Sequence, residues 1–288
     1  MRSMARLLPV LPDMASGEHL DPQARDFYRR AMRRFMDGGV PFLVGGAYAF
    51  ARYTGIERHT KDLDVFLHPR DFDRALALLA EEGCQTEVPF PHWLGKAHRD
   101  GSFVDLIFSS GNGVAAVDDE WFRHAVADEV LDVPVRLSPA EEMIWSKAFI
   151  MERERYDGAD VAHVLRARAE SLNWGRLVRR FGEHWRVLLG HIVMFGFIYP
   201  CERHRIPPDV IRLLSGRLEK ELTAPAEERL CQGTLVSRAQ YLVDLERWGY
   251  EDPRLAPRGN LTERETAIWT AGIADDGPPE LASEERAA

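Results

Sequence analysis

Two aspartates, Asp62 and Asp64, stand two residues apart inside the segment RHTKDLDVF, which otherwise has the composition of a buried β-strand. Side chains two residues apart on a strand lie on the same face, so both carboxylates point one way while Leu63, Val65 and Leu67 point into a core. Two neighbouring like charges repel, and partial burial increases the repulsion unless a cation lies between them. A divalent metal ion is the usual cation. The alternative is a strand end at which water solvates both carboxylates.

Helix and strand signals alternate over the first half of the chain. Asp21 and Pro22 begin a helix that Gly38-Gly39 ends. The buried strand VPFLVGG leads into a helix at Ala47, and PRDFDRALALLAEEG has the pattern of an amphipathic helix. Further strands are predicted in CQTEVPF, in VLDVPVRLS, and in WLGKAHRDGSFVDLIFSS with a hairpin at Asp100-Gly101. This part of the chain predicts an α/β domain.

From Pro139 onward the pattern is helical. SPAEEMIWSKAF has a serine cap, a proline and two glutamates, which is a strong helix start. Helical patterns recur over residues 173–199, 207–222 and 227–248. The predicted organisation is a tail over residues 1–20, an α/β domain over 21–138, an all-helical domain over 139–252, and a polar, acidic, disordered tail over 253–288.

The composition is that of an ordinary globular chain, with 288 residues, of which 45% are hydrophobic and 29% charged. A net charge of −9 argues against a protein whose whole surface binds nucleic acid, although it is compatible with a local basic groove. Cys84, Cys201 and Cys231 are far apart and form neither a disulfide framework nor a C-x-x-C metal motif, which indicates a reducing compartment.

Nothing in the sequence predicts membrane association. Prolines interrupt the N-terminus before a hydrophobic stretch of signal-peptide length develops. The most apolar stretch, residues 187–199, is too short to span a bilayer comfortably. We predict that it is a buried helix in which His191 is a hydrogen-bonded core histidine. The expected location of the protein is the cytoplasm.

Two further features accompany the aspartate pair. Gly45-Gly46 ends a predicted strand and opens a helix; glycines allow close backbone approach to a ligand and helix N-termini attract phosphate, although such pairs are also common in ordinary tight turns. Asp105 lies in the apolar strand SFVDLIFSS, where an unpaired carboxylate would be costly. We expect strand pairing to bring Asp105 beside Asp62 and Asp64; a structural salt bridge to an arginine is the alternative.

The order of these parts, over residues 42–109, resembles the nucleotidyltransferase superfamily of the DNA polymerase β type. The glycine turn of that superfamily corresponds to Gly45-Gly46, its D-x-D to Asp62 and Asp64, and its third carboxylate to Asp105. The resemblance implies an α+β fold, in which a mixed β-sheet of the nucleotidyltransferase type with flanking helices is followed by an all-helical C-terminal domain.

Within the superfamily, GIERHTKDLDVFL is most similar to the bacterial minimal and AbiEii-type branch, in which an R-x-T-x-D-x-D signature is typical. Arg58 and Thr60 occupy its first two positions. The branch also carries a lysine on the first helix after the sheet, here Lys147, and this chain has only four lysines. A lysine there favours a compact charge for a triphosphate over an exposed helix residue. The residues that follow, at a spacing that departs from the toxin pattern, are Arg153, Arg155, Asp157 and Asp160.

The resemblance implies nucleotidyl transfer, in which an NMP moves from an NTP to a hydroxyl acceptor and pyrophosphate leaves. It implies two Mg²⁺ ions held by Asp62 and Asp64, with Asp105 as an additional ligand and proton acceptor. The acceptor stays open between a small molecule, a tRNA end and a protein hydroxyl, and a toxin-like member would also have an antitoxin-like protein partner. The residues implied to bind the nucleotide are Gly45, Gly46, Arg58, Thr60 and Lys147.

Three other interpretations stay open. DLDVF is superficially similar to the D-x-D of haloacid-dehalogenase-type phosphatases, but that motif follows an apolar strand, whereas YTGIERHTK precedes it here. A catalytically silent nucleotide-binding or partner-binding module of the same fold is the second, although all three carboxylates are present. An RNA-directed enzyme is the third, since the arginines of the first helix and of RLVRRFGEHWR can contact phosphates or be solvated helix faces.

Overall fold

A mixed seven-stranded sheet forms the centre of the N-terminal half in the computed structural model, which describes residues 20–58, 60–223 and 228–272. Its strands are β1 (Leu43–Val44), β2 (Asp62–Phe66), β3 (Gln85–Phe90), β4 (Leu94–Arg99), β5 (Ser102–Ile107), β6 (Val126–Val130) and β7 (Val133–Leu137). They lie in the order β3-β4-β5-β2-β1-β7-β6. The sheet is mixed because β2 pairs with β1 in antiparallel and with β5 in parallel orientation.

Strand β2 places the two aspartates near the middle of the sheet. Leu63, Val65 and Leu67 alternate with them and are fully buried, which confirms the predicted alternation. The parallel register with β5 sets Asp64 directly opposite Asp105. The carboxylate face of β2 therefore continues onto β5.

Hairpins connect the outer strands. The β4–β5 hairpin turns at Asp100-Gly101 as predicted, with φ values of 51° and 80° that suit a two-residue Asp-Gly turn. A second hairpin turns at Leu131-Asp132, so the segment VLDVPVRLS contributes to both β6 and β7 rather than to one strand.

Helices flank the sheet and form most of the C-terminal half, which confirms the predicted fold class. They are α1 (Pro22–Asp37), α2 (Gly46–Thr54), α3 (Phe72–Glu81), α4 (Asp119–Arg123), α5 (Ala140–Lys147), α6 (Gly158–Arg168), α7 (Trp174–Phe181), α8 (Trp185–Ile198), α9 (Pro208–Leu222), α10 (Leu242–Trp248) and α11 (Glu263–Ala271). The sequence did not predict the short helix α4. The division of the chain into domains stays a prediction.

The first helix after the sheet is shorter than its sequence pattern suggested. It ends at Lys147, and the next helix begins only at Gly158, so residues 148–157 form a turn between them. Ser138 does not cap this helix, because Pro139 occupies the N-cap position and the N–H of Ser138 donates to strand β1. The turn brings the start of α6 back beside the end of α5.

The prediction for residues 227–248 is wrong. The described part of this stretch forms a single 3₁₀ turn, Gln232–Leu235, and the short helix α10 instead of one long helix.

The predicted disorder from residue 253 is also wrong as far as residue 272. Helix α11 lies in this stretch and begins with a capping box formed by Thr262 and Glu265. Its Trp269 packs edge-on against Phe90 and Trp93, at ring-centroid distances of 5.1 and 5.4 Å. A few aromatic contacts fix this polar segment, and composition does not reveal them. Residues 273–288 of the predicted tail and residues 1–19 lie outside the described residues.

Helix α8 contains the most apolar stretch of the chain. His191 is buried, and its Nε2 lies 2.8 Å from the carbonyl oxygen of Ala148, which confirms the predicted core histidine. The helix is buried along one face only, because Val193 is 62% and Phe197 76% exposed on the other. Within the described ranges, no helix is long and apolar enough to cross a membrane.

Candidate active site

Three carboxylates meet on one face of the sheet. Asp62 and Asp64 point from β2 to the same side, and Asp105 lies on the adjacent parallel strand β5. One carboxylate oxygen from each can be chosen so that all lie within 4.8 Å of one another. Strand pairing therefore brings Asp105 beside the pair, as the sequence led us to expect. Divalent cations prefer such sets of carboxylate oxygens.

The glycine turn packs directly against this cluster. Gly46 begins helix α2 with a positive φ of 51°, and a Cβ there would lie 1.6 Å from Oδ2 of Asp64. The N–H of Gly45 donates to the backbone carbonyl of Asp64 at 3.0 Å. Glycine is thus required at position 46 by both conformation and space. The N-terminus of α2, which carries partial positive charge, starts beside the carboxylates.

Burial and mutual repulsion both act on the carboxylates of the cluster. Burial, together with the negative charges of Asp62 and Asp105, raises the pKa of Asp64 to about 7. Burial also raises the pKa of Asp105, although Lys96 opposes this change. The cluster therefore binds protons more readily than isolated carboxylates do, and a bound divalent cation would relieve the same repulsion.

Lys96 is a site residue that sequence reasoning missed. It lies opposite Asp105 on strand β4, and its Nζ is 2.8 Å from Oδ1 of Asp105. The ammonium also lies 4.3 Å from the ring centroid of Phe103. The salt-bridge alternative for Asp105 is therefore correct in part, with a lysine instead of an arginine. The predicted hairpin at Asp100-Gly101 could have identified Lys96, since a two-residue turn pairs position 96 with position 105.

Thr60 and Arg58 lie at the edge of the site. The Thr60 hydroxyl donates to the carboxylate of Asp62. The Arg58 guanidinium lies 2.5 Å from Oδ1 of Asp160 and 4.3 Å from the ring centroid of Phe50. Both predicted site residues are thus near the cleft, and both already have protein partners.

Lys147 approaches from the helical side and is held by two carboxylates. Its Nζ lies 2.7 Å from Asp157 and 2.8 Å from Asp160, and 18% of its side chain is exposed, which excludes the simple exposed helix lysine. Arg155 also donates to Asp157. Although burial opposes it, Arg155 and Lys147 hold the pKa of Asp157 below its usual range. These ion pairs connect the end of α5 to the start of α6.

The carboxylates form one end of a cleft of about 680 Å³. The other end is lined by aromatic side chains and by residues of the C-terminal segment, which sequence reasoning missed. Because they come from distant parts of the chain, no local pattern identifies them. They include Phe90, Trp93, Ser237, Arg238 and Trp269.

The raised pKa of Asp64 predicts a pH dependence of stability. A carboxyl group whose pKa is higher in the folded than in the unfolded state destabilises the fold as it ionises. We expect the free energy of unfolding of the metal-free protein to lose a contribution between about pH 4 and 7, where Asp64 titrates. The loss is at most roughly 4 kcal/mol, from about three pH units at 1.36 kcal/mol each.

Thermal melts in EDTA across this pH range measure the effect. The Asp64→Asn variant should lack this contribution, and the difference between the two proteins separates Asp64 from buried histidines such as His191, whose pKa burial lowers. Parallel pH profiles for the two proteins would contradict the raised pKa.

The ion pairs of Lys147 predict a large effect on stability. Lys147→Met leaves the buried carboxylates of Asp157 and Asp160 with one cation fewer, and breaking such a pair costs about 3 kcal/mol or more. Denaturant unfolding should therefore show a lower midpoint. Lys220→Met removes an exposed lysine from α9 and is the matched control. Equal stability of the two variants would show that these contacts contribute little.

The fold, a mixed sheet with flanking helices, is that of a nucleotidyltransferase. Residues 23–187, more than half of the chain, match the family model NTP_transf_5, described as uncharacterised nucleotidyltransferase, and the chain belongs to this family. The resemblance to the nucleotidyltransferase superfamily is thereby confirmed, and the protein is a nucleotidyltransferase. No curated protein matches the chain.

Several solved structures are similar to this chain. The antibiotic-resistance factor ANT(2'')-Ia is 13% identical, with a TM-score of 0.38 over 71% of this chain and 96% of its own. The lincosamide antibiotic adenylyltransferase LnuA is 13% identical, with a TM-score of 0.37 over 50% and 97%. JHP933 from Helicobacter pylori is 14% identical, with a TM-score of 0.34 over 71% and 97%. Because the identities and TM-scores are this low, the similarities do not indicate a substrate for this protein.

Proposed function

We propose that the protein transfers an NMP from an NTP to a hydroxyl acceptor in a Mg²⁺-dependent reaction that releases pyrophosphate. The observation that carries this proposal is the convergence of Asp62, Asp64 and Asp105 within 4.8 Å in a chain of the nucleotidyltransferase family. The phosphatase alternative lacks this support, because residues 23–187 match a nucleotidyltransferase family.

The cluster suits divalent metal ions. Its donors are carboxylate oxygens, which Mg²⁺ prefers, and the burial and mutual repulsion that raise the pKa of Asp64 are what a bound cation would offset. Asp62, Asp64 and Asp105 would hold the metal. When bound, two Mg²⁺ ions neutralise the triphosphate and lower the pKa of the acceptor hydroxyl.

The nucleotide phosphates would lie between the two halves of the chain. The N-terminus of α2 at Gly45-Gly46 supplies N–H groups and partial positive charge beside the cluster. Thr60, whose hydroxyl contacts Asp62, and Arg58 lie near the same face. Lys147 would contribute charge to the triphosphate from α5, which requires that its ammonium exchange part of its contact with Asp157 or Asp160 for a phosphate oxygen.

Asp105 would accept the proton of the acceptor hydroxyl. Burial raises its pKa, which favours proton uptake, and Lys96 holds the side chain in place at 2.8 Å. The acceptor is a small molecule or an RNA end, and both would enter through the cleft that leads to Asp105.

Incubation of the protein and Mg²⁺ with cell extract and each α-³²P-labelled NTP tests the proposal. Transfer appears as label in an acceptor fraction that mass spectrometry then identifies, with release of unlabelled pyrophosphate. EDTA and the Asp64→Asn variant are the controls. Tight binding of MgNTP without labelled product in any fraction would instead favour the silent nucleotide-binding module.

A further inference from the structure

Three aromatic side chains, Phe90, Trp93 and Trp269, line the cleft at the end away from the carboxylates; we call them the aromatic wall. Phe90 and Trp93 stack at the β3–β4 turn, with ring centroids 5.6 Å apart and an interplanar angle of 17°. Trp269 reaches them from α11 and stands nearly perpendicular to both, at 84° and 82°. Together the rings form an apolar corner in the same cleft that contains the carboxylates.

The aromatic wall lies within reach of the reacting end of the cleft. Ile107 is two residues beyond Asp105 on the same face of β5 and pairs with Leu94, which in turn pairs with Phe90. All of these residues line the cleft. Residues two apart on a strand are about 7 Å apart and neighbouring strands about 4.8 Å apart, so Phe90 lies roughly 12 Å from Asp105 across the sheet. An acceptor long enough to span this distance, with its hydroxyl at Asp105, would place its far end against the aromatic wall.

The charges of the cleft argue against a polycationic acceptor. Outside the carboxylate cluster, the described lining residues include five basic side chains and four acidic ones. Asp157 and Asp160 are bound to Lys147, and Glu152 accepts hydrogen bonds from the Ser237 hydroxyl at 2.8 Å and the Arg238 N–H at 3.1 Å. Away from the cluster, most of the carboxylates that could bind an ammonium group are therefore already paired within the protein.

Residues beyond the region that matches the family model line the cleft at the aromatic wall. The matched region ends at residue 187, whereas Arg238 and Trp269 come from the C-terminal segment. The Arg238 guanidinium lies 4.3 Å from the Trp269 ring centroid. Gly111, on the loop after β5, gives Trp269 room, since a Cβ there would lie 2.3 Å from Cζ2 of the indole. The family region thus carries the carboxylates, and the C-terminal segment shapes the opposite end.

We infer that the acceptor is a ring-bearing, uncharged or anionic molecule that packs against the aromatic wall and presents its hydroxyl to Asp105. The inference rests on the proposed nucleotidyl transfer and specifies its substrate class. We expect polyamine sugars to bind more weakly, because three of the four carboxylates outside the cluster are already paired. Trp269 determines specificity without contacting the reacting atoms.

Binding of two simple probes tests the inference. 2-Phenylethanol is an uncharged ring-bearing alcohol, and 2-deoxystreptamine is a polyamine ring. Each is titrated by saturation-transfer difference NMR into protein saturated with Mg²⁺ and α,β-methylene-ATP, which blocks transfer. We expect 2-phenylethanol to bind more tightly than 2-deoxystreptamine. Its Kd should rise about fivefold or more in Trp269→Leu, the loss expected for a contact ring, and change little in Trp269→Phe.

Trp248→Leu, which alters a 57% exposed tryptophan on α10, is the matched control and should leave both Kd values unchanged. Trp93→Leu replaces Trp269→Leu if the latter does not fold. An unchanged Kd for 2-phenylethanol in the wall variant, or tighter binding of 2-deoxystreptamine, would overturn the inference. Two titrations separate this inference from the proposed function. If α,β-methylene-ATP with Mg²⁺ does not bind, the result counts against nucleotidyl transfer. Binding of 2-phenylethanol to the nucleotide-free protein tests the aromatic wall in either case.

Discussion

Asp64→Asn is expected to reduce nucleotidyl transfer by about 10³-fold or more, because the loss of a carboxylate ligand removes several kcal/mol of transition-state stabilisation. Asp64 lies opposite Asp105 in the register and packs against Gly46, so it occupies the centre of the cluster. The amide has nearly the same shape and removes one of three like charges. The melting temperature of the metal-free variant should therefore equal or exceed that of the wild type.

Label transfer from an α-³²P NTP in the presence of Mg²⁺, with melts in EDTA, measures both effects. Asp62→Asn should behave in the same way, and Asp73→Asn, which alters an exposed carboxylate on α3, is the control. Near-wild-type turnover in Asp64→Asn would disprove the metal assignment. A lower melting temperature with lost activity would instead indicate that the carboxylate supports the fold.

Asp105→Asn is expected to spare MgNTP binding and to reduce turnover by about 10²-fold or more, as the loss of a general base does. The neighbouring Asp62 and Asp64 remain to hold the nucleotide-bound metal. The substitution also breaks the ion pair with Lys96, which is 2.8 Å long. Titration calorimetry with a non-hydrolysable MgNTP and single-turnover kinetics give the two quantities separately.

Lys96→Met is the matched variant for Asp105→Asn, since it breaks the same ion pair and keeps the carboxylate. If Lys96 only positions Asp105, Lys96→Met should retain more activity than Asp105→Asn. If Asp105→Asn greatly weakens MgNTP binding but leaves the single-turnover rate at saturating nucleotide unchanged, Asp105 binds the nucleotide and is not the general base. Equal losses in the two variants would mean that the ion pair itself is required.

Local sequence patterns predicted the part of the site formed by strand β2 and the glycine turn. The alternation around Asp62 and Asp64 depends on the two-residue period of a strand, and the glycine turn depends on a positive φ at Gly46. The hairpin at Asp100-Gly101 was also correctly predicted, and its register would have revealed Lys96. These features depend on residues close together in the chain, so the sequence contains their physical cause.

Contacts across long stretches of sequence could not be predicted in this way. Lys147 was expected to be poised for a triphosphate, but nothing local shows that the chain turns after α5 and returns Asp157 and Asp160 to its ammonium. Similarly, the acidic composition after residue 252 predicted disorder, because composition averages over a segment. In the structure, Trp269 on α11 packs against Phe90 on β3 and Trp93 in the β3–β4 turn.

The primary structure alone was therefore sufficient for the class of fold, through the resemblance to the nucleotidyltransferase superfamily. It was also sufficient for the three carboxylates, through strand periodicity and the expected strand pairing; only the structure showed that this pairing is parallel. The other end of the cleft became visible only in three dimensions. Phe90 and Trp269 are far apart in the chain, and their contact depends on how α11 packs against the sheet. Packing of this kind has no sequence period and no short motif. The aromatic wall, which would select the acceptor, could therefore be identified only in the folded chain.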